Sequence, residues 1–238
     1  MASKKKKGVL STVVTLLVVL AFLWTRYQEI NEGQAGEFTQ TNQDELVSTA
    51  ASRNDGETLT EVKLLSPHYQ VWKNCVVISH RGNDGDSFHI EAPHGREEIR
   101  LYYVDAPESA ARTYRDGNTN HLRIAQQGAA MGGLDQLETI KVGVDAKAFV
   151  KELLDGKRFK VATRSERVYG SHRKYAFVIV DWKGQRHYLH ELLVLNGLAR
   201  IHTKPAHLPD NTTASDQKKR LYELQSYAKD MRYGAWGL

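Results

Sequence analysis

"RLYYVDAPE", residues 100–108, puts an arginine, a run of large apolar residues and two carboxylates around a proline into nine positions. Its middle reads as a buried strand. Pro107 cannot continue the hydrogen-bond ladder, so the strand ends at about Asp105. A strand that opens on a guanidinium and closes on acids must give those charges partners, because an unpaired buried charge is costly. Strict alternation would send Arg100 and Asp105 to opposite faces. For both to reach one site, a bulge or a break in regular strand geometry must come between them.

Working outward, "CVVIS", "SFHIEA", "EIRLYYV", "RFKVATR" and "YAFVIVD" are short runs rich in β-branched and aromatic residues, separated by turn formers. Helical patterns interrupt them. In "VDAKAFVKELLDG" (144–156), Ala146, Phe149, Val150, Leu153 and Leu154 share a face, and Gly156 suits a C-terminal cap. In "YLHELLVLNGLARI", Leu189, Leu192, Leu193 and Asn196 mark one side. In "SDQKKRLYELQSYAKDMRY", Leu221, Leu224, Ala228 and Met231 repeat at helical spacing. "HLRIAQQGAAM" (121–131) is a further candidate helix beside the 100–108 stretch, either shaping access to it or, as the expected case, decorating the surface. The expected class is α+β: a five-stranded barrel of the OB-fold type with about three helices.

Charge divides the chain. Residues 1–30 carry +4, residues 31–65 carry −5 and residues 66–238 carry +6. A basic body suits a polyanion such as nucleic acid. The single cysteine, Cys75, rules out an intrachain disulfide and sits in an apolar run, as a small buried hydrophobe. Four lysines precede an uncharged apolar stretch from Gly8 to Trp24, which as a helix covers about 26 Å, enough to cross a hydrocarbon core. Three regions are therefore expected: a Lys-rich tip and transmembrane anchor (1–29), with residues 8–24 in a lipid bilayer; an acidic flexible linker (30–65); and a folded domain (66–238). The lysines should stay in the cytoplasm, which exports the domain. A cleaved signal peptide is the alternative, but "TRYQEI" offers no small-x-small site.

"NDGDSFHIEA" (83–92) turns at Asp84-Gly85, and Asp86, Phe88 and Ile90 then share a strand face. Asp86 is placed at the rim of the core, as a turn-stabilising aspartate or as a cation ligand. With Asp105 it would offer hard oxygen donors, which suit calcium or magnesium rather than zinc. Glu108 follows closely enough to hold a water. Arg100 and Arg173 are either surface cations or a pair that grips phosphate through planar donor forks. "HYLHE" (187–191) has the wrong order for a zinc helix, and His187 and His190 have no evident third ligand.

From about Asn74 onward, "DGDS", "RLYYVDAPE", "YGSHRKYAFV", "HELLVLNGLA" and "AKDMRYGAWG" resemble, in order, the motifs of the staphylococcal-nuclease-like (thermonuclease) family. The resemblance implies that Asp86, Asp105 and the Ala106 carbonyl ligate Ca²⁺. It implies that Arg100 and Arg173 hold the scissile phosphate and its transition state, that Glu108 acts on the attacking water, and that Tyr169 lines the nucleotide pocket. It further implies hydrolysis of DNA and/or RNA to 3′-phosphate ends. A monomer is expected, with no protein partner evident. Ser171 and His172 are additional between "YG" and Arg173, and 109–144 is longer than in the smallest members. The competing reading is a catalytically silent OB-fold module that binds nucleic acid or protein.

Overall fold

A computed structural model describes Val62 and residues 66–238. The expected anchor at 8–24 lies outside the described residues, as does nearly all of the expected linker. No helix among the described residues is long and apolar enough to cross a membrane.

The domain is a closed barrel. Strands β1 (Gln70–Val77), β2 (Ser87–Ala92) and β3 (Gly95–Leu101) form an antiparallel meander, and β1 also pairs with β5 (Phe159–Arg167). Next to β5 runs β6 (Lys174–Trp182), which pairs in parallel with β3 through Ile99↔Lys174, Arg100↔Tyr175 and Leu101↔Ala176. That seam joins the ends of a five-strand order β3-β2-β1-β5-β6 and leaves no open edge between β3 and β6. A short strand β7 (Gln185–Tyr188) extends β6, and a separate two-stranded pair joins β4 (Val104–Asp105) to β8 (Arg200–Ile201). Alternation and register explain the filling: Phe88, Ile90, Ile99, Leu101, Ala176 and Val178 share one face of the closed sheet and are buried, while Phe177 and Ile179 are buried on the opposite face.

Among the described residues, four α-helices accompany the barrel: α1 (His121–Ala130), α2 (Gln136–Leu154), α3 (Leu189–Leu195) and α4 (Ala214–Asp230). A 3₁₀ turn, Gly234–Gly237, closes the chain. The helix expected at 144–156 in fact begins two turns earlier. Asp135 and Glu138 form a reciprocal capping box there, each side chain accepting the other's backbone N–H at 2.9 Å. Ala146, Phe149, Val150, Leu153 and Leu154 all face the core as expected. Helix α3 has no solvent-facing side, for every residue from Leu189 to Leu195 is buried. Met231 departs from its expected place: α4 ends at Asp230, and Met231 is half exposed beyond it. Cys75 is fully buried, and burial pushes its thiol up to about 11.

Candidate active site

The break required between Arg100 and Asp105 is at Tyr102–Tyr103. Tyr103 adopts a positive φ of 69°, and both tyrosine rings are buried. The left-handed residue separates β3 from β4 and changes which way the chain faces. Arg100 Nη2 then donates to Asp105 Oδ1 at 2.7 Å and lies 3.2 Å from Asp86 Oδ2. All three side chains are at least nine-tenths buried.

Asp86 arrives from the turn before β2. Its Oδ2 accepts the Ala106 backbone N–H at 2.9 Å and its Oδ1 accepts the Ser87 hydroxyl at 2.9 Å. Two glycines permit the approach. A Cβ on Gly85 would stand 2.8 Å from the Ala146 methyl carbon and 2.9 Å from that of Ala106, so only a bare backbone fits between α2 and the 105–108 turn. Gly143 of α2 lies against the same turn, where a Cβ would meet the Glu108 and Pro107 carbonyl oxygens at 2.5 and 2.6 Å.

Arg173, just before β6, donates from Nη1 to Ser87 Oγ at 3.2 Å, and Arg100 Nη1 donates to the same oxygen at 3.2 Å. The extra Ser171 does not displace Arg173; its hydroxyl accepts the Arg173 Nε–H at 3.0 Å and braces it. Glu108 is partly exposed at the rim. The structure thus brings Asp86, Arg100, Asp105, Ala106, Glu108 and Arg173 together. Tyr169 stands apart: it is fully exposed on the β5–β6 hairpin, with its ring in solvent.

Three further side chains enter this cluster that the sequence reading did not place there. Arg200 sits opposite Asp105 in the β4–β8 pair, and its Nε and Nη2 both lie 2.9 Å from Asp105 Oδ2. Arg123 of α1 spans Asp105 Oδ1 at 2.8 Å and Glu108 Oε1 at 2.9 Å. Gln127, also on α1 and fully buried, donates to Asp105 Oδ2 at 3.0 Å and to the Ala106 carbonyl at 3.1 Å. Helix α1 is therefore not the surface decoration expected from its sequence. The missed signal was its spacing: Asn120, Arg123 and Gln127 fall at i, i+3 and i+7, a polar stripe on one helix face.

The charges explain the titration. Burial pushes Asp105 up, but Arg123, the Gln127 hydrogen bond, Arg100 and Arg200 together hold its carboxyl below the usual carboxylate range. Asp86 is raised, because burial outweighs the attraction of Arg100 and the nearby Asp105 adds repulsion. Asp84, one turn away, is pushed up to about 7 by burial and by the negative charges of Asp86 and Glu108. Acids crowded so closely that one rises this far favour a nearby cation.

The donor chemistry of Asp86, Asp105 and the Ala106 carbonyl fits a hard cation, since every donor is oxygen. Among the described residues no group of three or more His, Cys, Asp or Glu side chains is already gathered around one point for an ion. The candidate oxygens accept N–H donors from Gln127, Arg123, Arg200 and the backbone of Ala106. A cation entering here displaces some of those contacts. His190, by contrast, is enclosed in the core. Its Nε2 lies 2.9 Å from Gln217 Nε2, and burial pushes its imidazole down to about 3.

Beside Asp105 opens a cleft of about 550 Å³ lined by Arg100, Arg123, Tyr175, Arg200, His202 and Lys204. Its walls are cationic with one aromatic ring, a lining suited to a phosphate ester carrying a base.

No curated protein matches the chain. The sequence does match the family of staphylococcal nuclease homologues over residues 98–237, a span that holds Arg100, Asp105, Glu108, Arg173 and both halves of the barrel seam, while Asp86 precedes it. With most of its length covered by that match, the chain belongs to the staphylococcal nuclease homologue family.

Proposed function

We propose that this domain hydrolyses phosphodiester bonds of DNA and/or RNA to 3′-phosphate ends, with calcium as its cofactor. One observation carries the proposal: Arg100 on β3 and Arg173 just before β6, the two strands joined at the barrel seam, both reach Ser87 Oγ at 3.2 Å beside the carboxylates of Asp86 and Asp105. Two guanidinium groups so placed would hold the non-bridging oxygens of one phosphate. Negative charge grows on those oxygens as a fifth ligand adds to phosphorus, and preorganised cations in a partly desolvated site stabilise it. Glu108, at the exposed rim, would take the proton from the attacking water. Asp86, Asp105 and the Ala106 carbonyl would hold calcium, which supplies Lewis-acid charge to phosphate and water.

The same proposal has residues 8–24 tether the domain at a membrane, on the extracytoplasmic side. The apolar stretch and the lysines before it support this reading. Resistance of the full-length protein to carbonate extraction from membranes tests it, and quantitative release into the soluble fraction would contradict it.

The decisive assay incubates purified full-length protein with single-stranded DNA and with RNA, in calcium or in chelator, and identifies the product ends. Calcium-dependent cutting with 3′-phosphate termini is expected. Tight binding without cleavage under every metal condition would replace this reading with the silent binding module.

A further inference from the structure

We propose that helix α1 is a positioning element of the candidate active site, in which Arg123 holds the Glu108 carboxylate beside Asp105. The inference rests on the phosphodiesterase reading above and adds residues to it.

One face of this helix meets the 105–110 turn at three successive levels. Asn120, at the N-cap, does not cap the helix with its side chain. Its Nδ2 instead donates to Glu108 Oε2 at 3.3 Å and to the Ala110 carbonyl at 2.9 Å, while its Oδ1 accepts the Arg112 N–H at 2.7 Å. One turn on, Arg123 bridges Asp105 and Glu108 through Nη2 and Nε. One turn further, the buried Gln127 gives its amide hydrogens to Asp105 and the Ala106 carbonyl, and its Oε1 accepts the Glu108 N–H at 3.0 Å.

Glu108 needs such support. It follows a proline on an irregular turn, its side chain is partly exposed, and a carboxylate there samples several rotamers unless something fixes it. A planar guanidinium bonded to two acids at once fixes both distance and orientation. The helix is itself held firmly. Ile124 is fully buried, and Gly128 lies so close to Leu134 and Thr139 that a Cβ would stand 2.4 Å from an oxygen of each. Arg123 thus works from a rigid base, as a positioning residue should.

The test is a pair of double-mutant cycles on the full-length protein, Arg123→Met against Glu108→Gln, read by steady-state kinetics and by urea unfolding. Arg123→Met should lower kcat about 10- to 100-fold. It should leave KM within about threefold, and Arg123→Lys should recover part of the loss. In the Glu108→Gln background, Arg123→Met should cost no more than about a further threefold, because both changes disable one unit. Fully multiplicative losses would overturn the inference, as would a KM that rises while kcat is kept. If the wild type cuts neither DNA nor RNA with calcium, the nuclease reading fails by itself. The unfolding cycle then still reads the pairing, and zero coupling between Arg123 and Glu108 would overturn it.

Discussion

Arg100 Nη2 and Asp105 Oδ1 meet at 2.7 Å although the chain between them passes through a left-handed tyrosine. Asp105 is also the common partner of Arg123, Arg200 and Gln127. Removing it strips the nearly buried Arg200 of its carboxylate and leaves Arg100 with Asp86 as its counter-charge. Asp105→Ala should therefore destabilise the domain by about 3–5 kcal/mol, read by urea unfolding. A loss below about 1 kcal/mol would show that water enters and screens the guanidinium groups.

Glu108 lies at the rim and joins the network through the partly exposed Arg123. Glu108→Gln should lower kcat about 10²- to 10⁴-fold and cost no more than about 1 kcal/mol of stability. Robust cutting by this variant would take Glu108 out of the mechanism.

Gly143 tests whether helix α2 sets the height of the 105–108 turn. Its substitution by alanine drives a Cβ into the Pro107 and Glu108 carbonyls, at 2.6 and 2.5 Å, so the turn must move. Activity should fall about 100-fold, the scale on which misplacement of reacting groups by about 1 Å is felt. Full activity in Gly143→Ala would mean that the turn shifts without consequence for the chemistry.

Tyr169 is fully exposed, so no packing depends on it. Tyr169→Ala should leave stability unchanged and raise KM about five- to tenfold through lost stacking on a base. An unchanged KM for both DNA and RNA would remove Tyr169 from the substrate site.

Two neighbours on α3 should give stability opposite pH slopes. Burial pushes Glu191 up to about 7, against the Gln217 hydrogen bond and the Arg220 charge, with Asp210 adding repulsion. Its contribution is present below about 4.5 and is lost as pH rises to about 7. His190, held down to about 3, contributes stability above about 6.5 that is lost as pH falls toward 3. The two slopes oppose each other between about 4.5 and 6.5. Glu191→Gln should leave the histidine slope alone, so that stability rises steadily with pH over that interval in a series of urea melts. A flat profile in the variant would contradict the burial of His190.

The barrel strands were legible because alternation around Phe88, Ile90, Ile99 and Leu101 is a local signal. The conflict between Arg100 and Asp105 was legible too, since a period of two leaves no other resolution than a break. Helix α1 was recognised, but not its purpose. Arg123 and Gln127 act on a turn almost twenty residues away, and no local pattern says which face a helix will present to it. Arg200 was hidden for a similar reason: it depends on the β4–β8 register, which pairs Asp105 with a residue 95 positions later. The full start of α2 was written in plain view as Asp135 and Glu138, a capping pair outside the apolar run.

The parallel seam of β3 and β6 has a kinetic corollary. Arg100 lies on one lip of that seam and Arg173 immediately precedes the other, so their separation is undefined until the ring of strands shuts. Parallel closure between segments some 75 residues apart carries a large loop entropy and belongs late in folding. Phosphate affinity should thus be the final property to emerge as the chain refolds, and the earliest to vanish when the seam breathes.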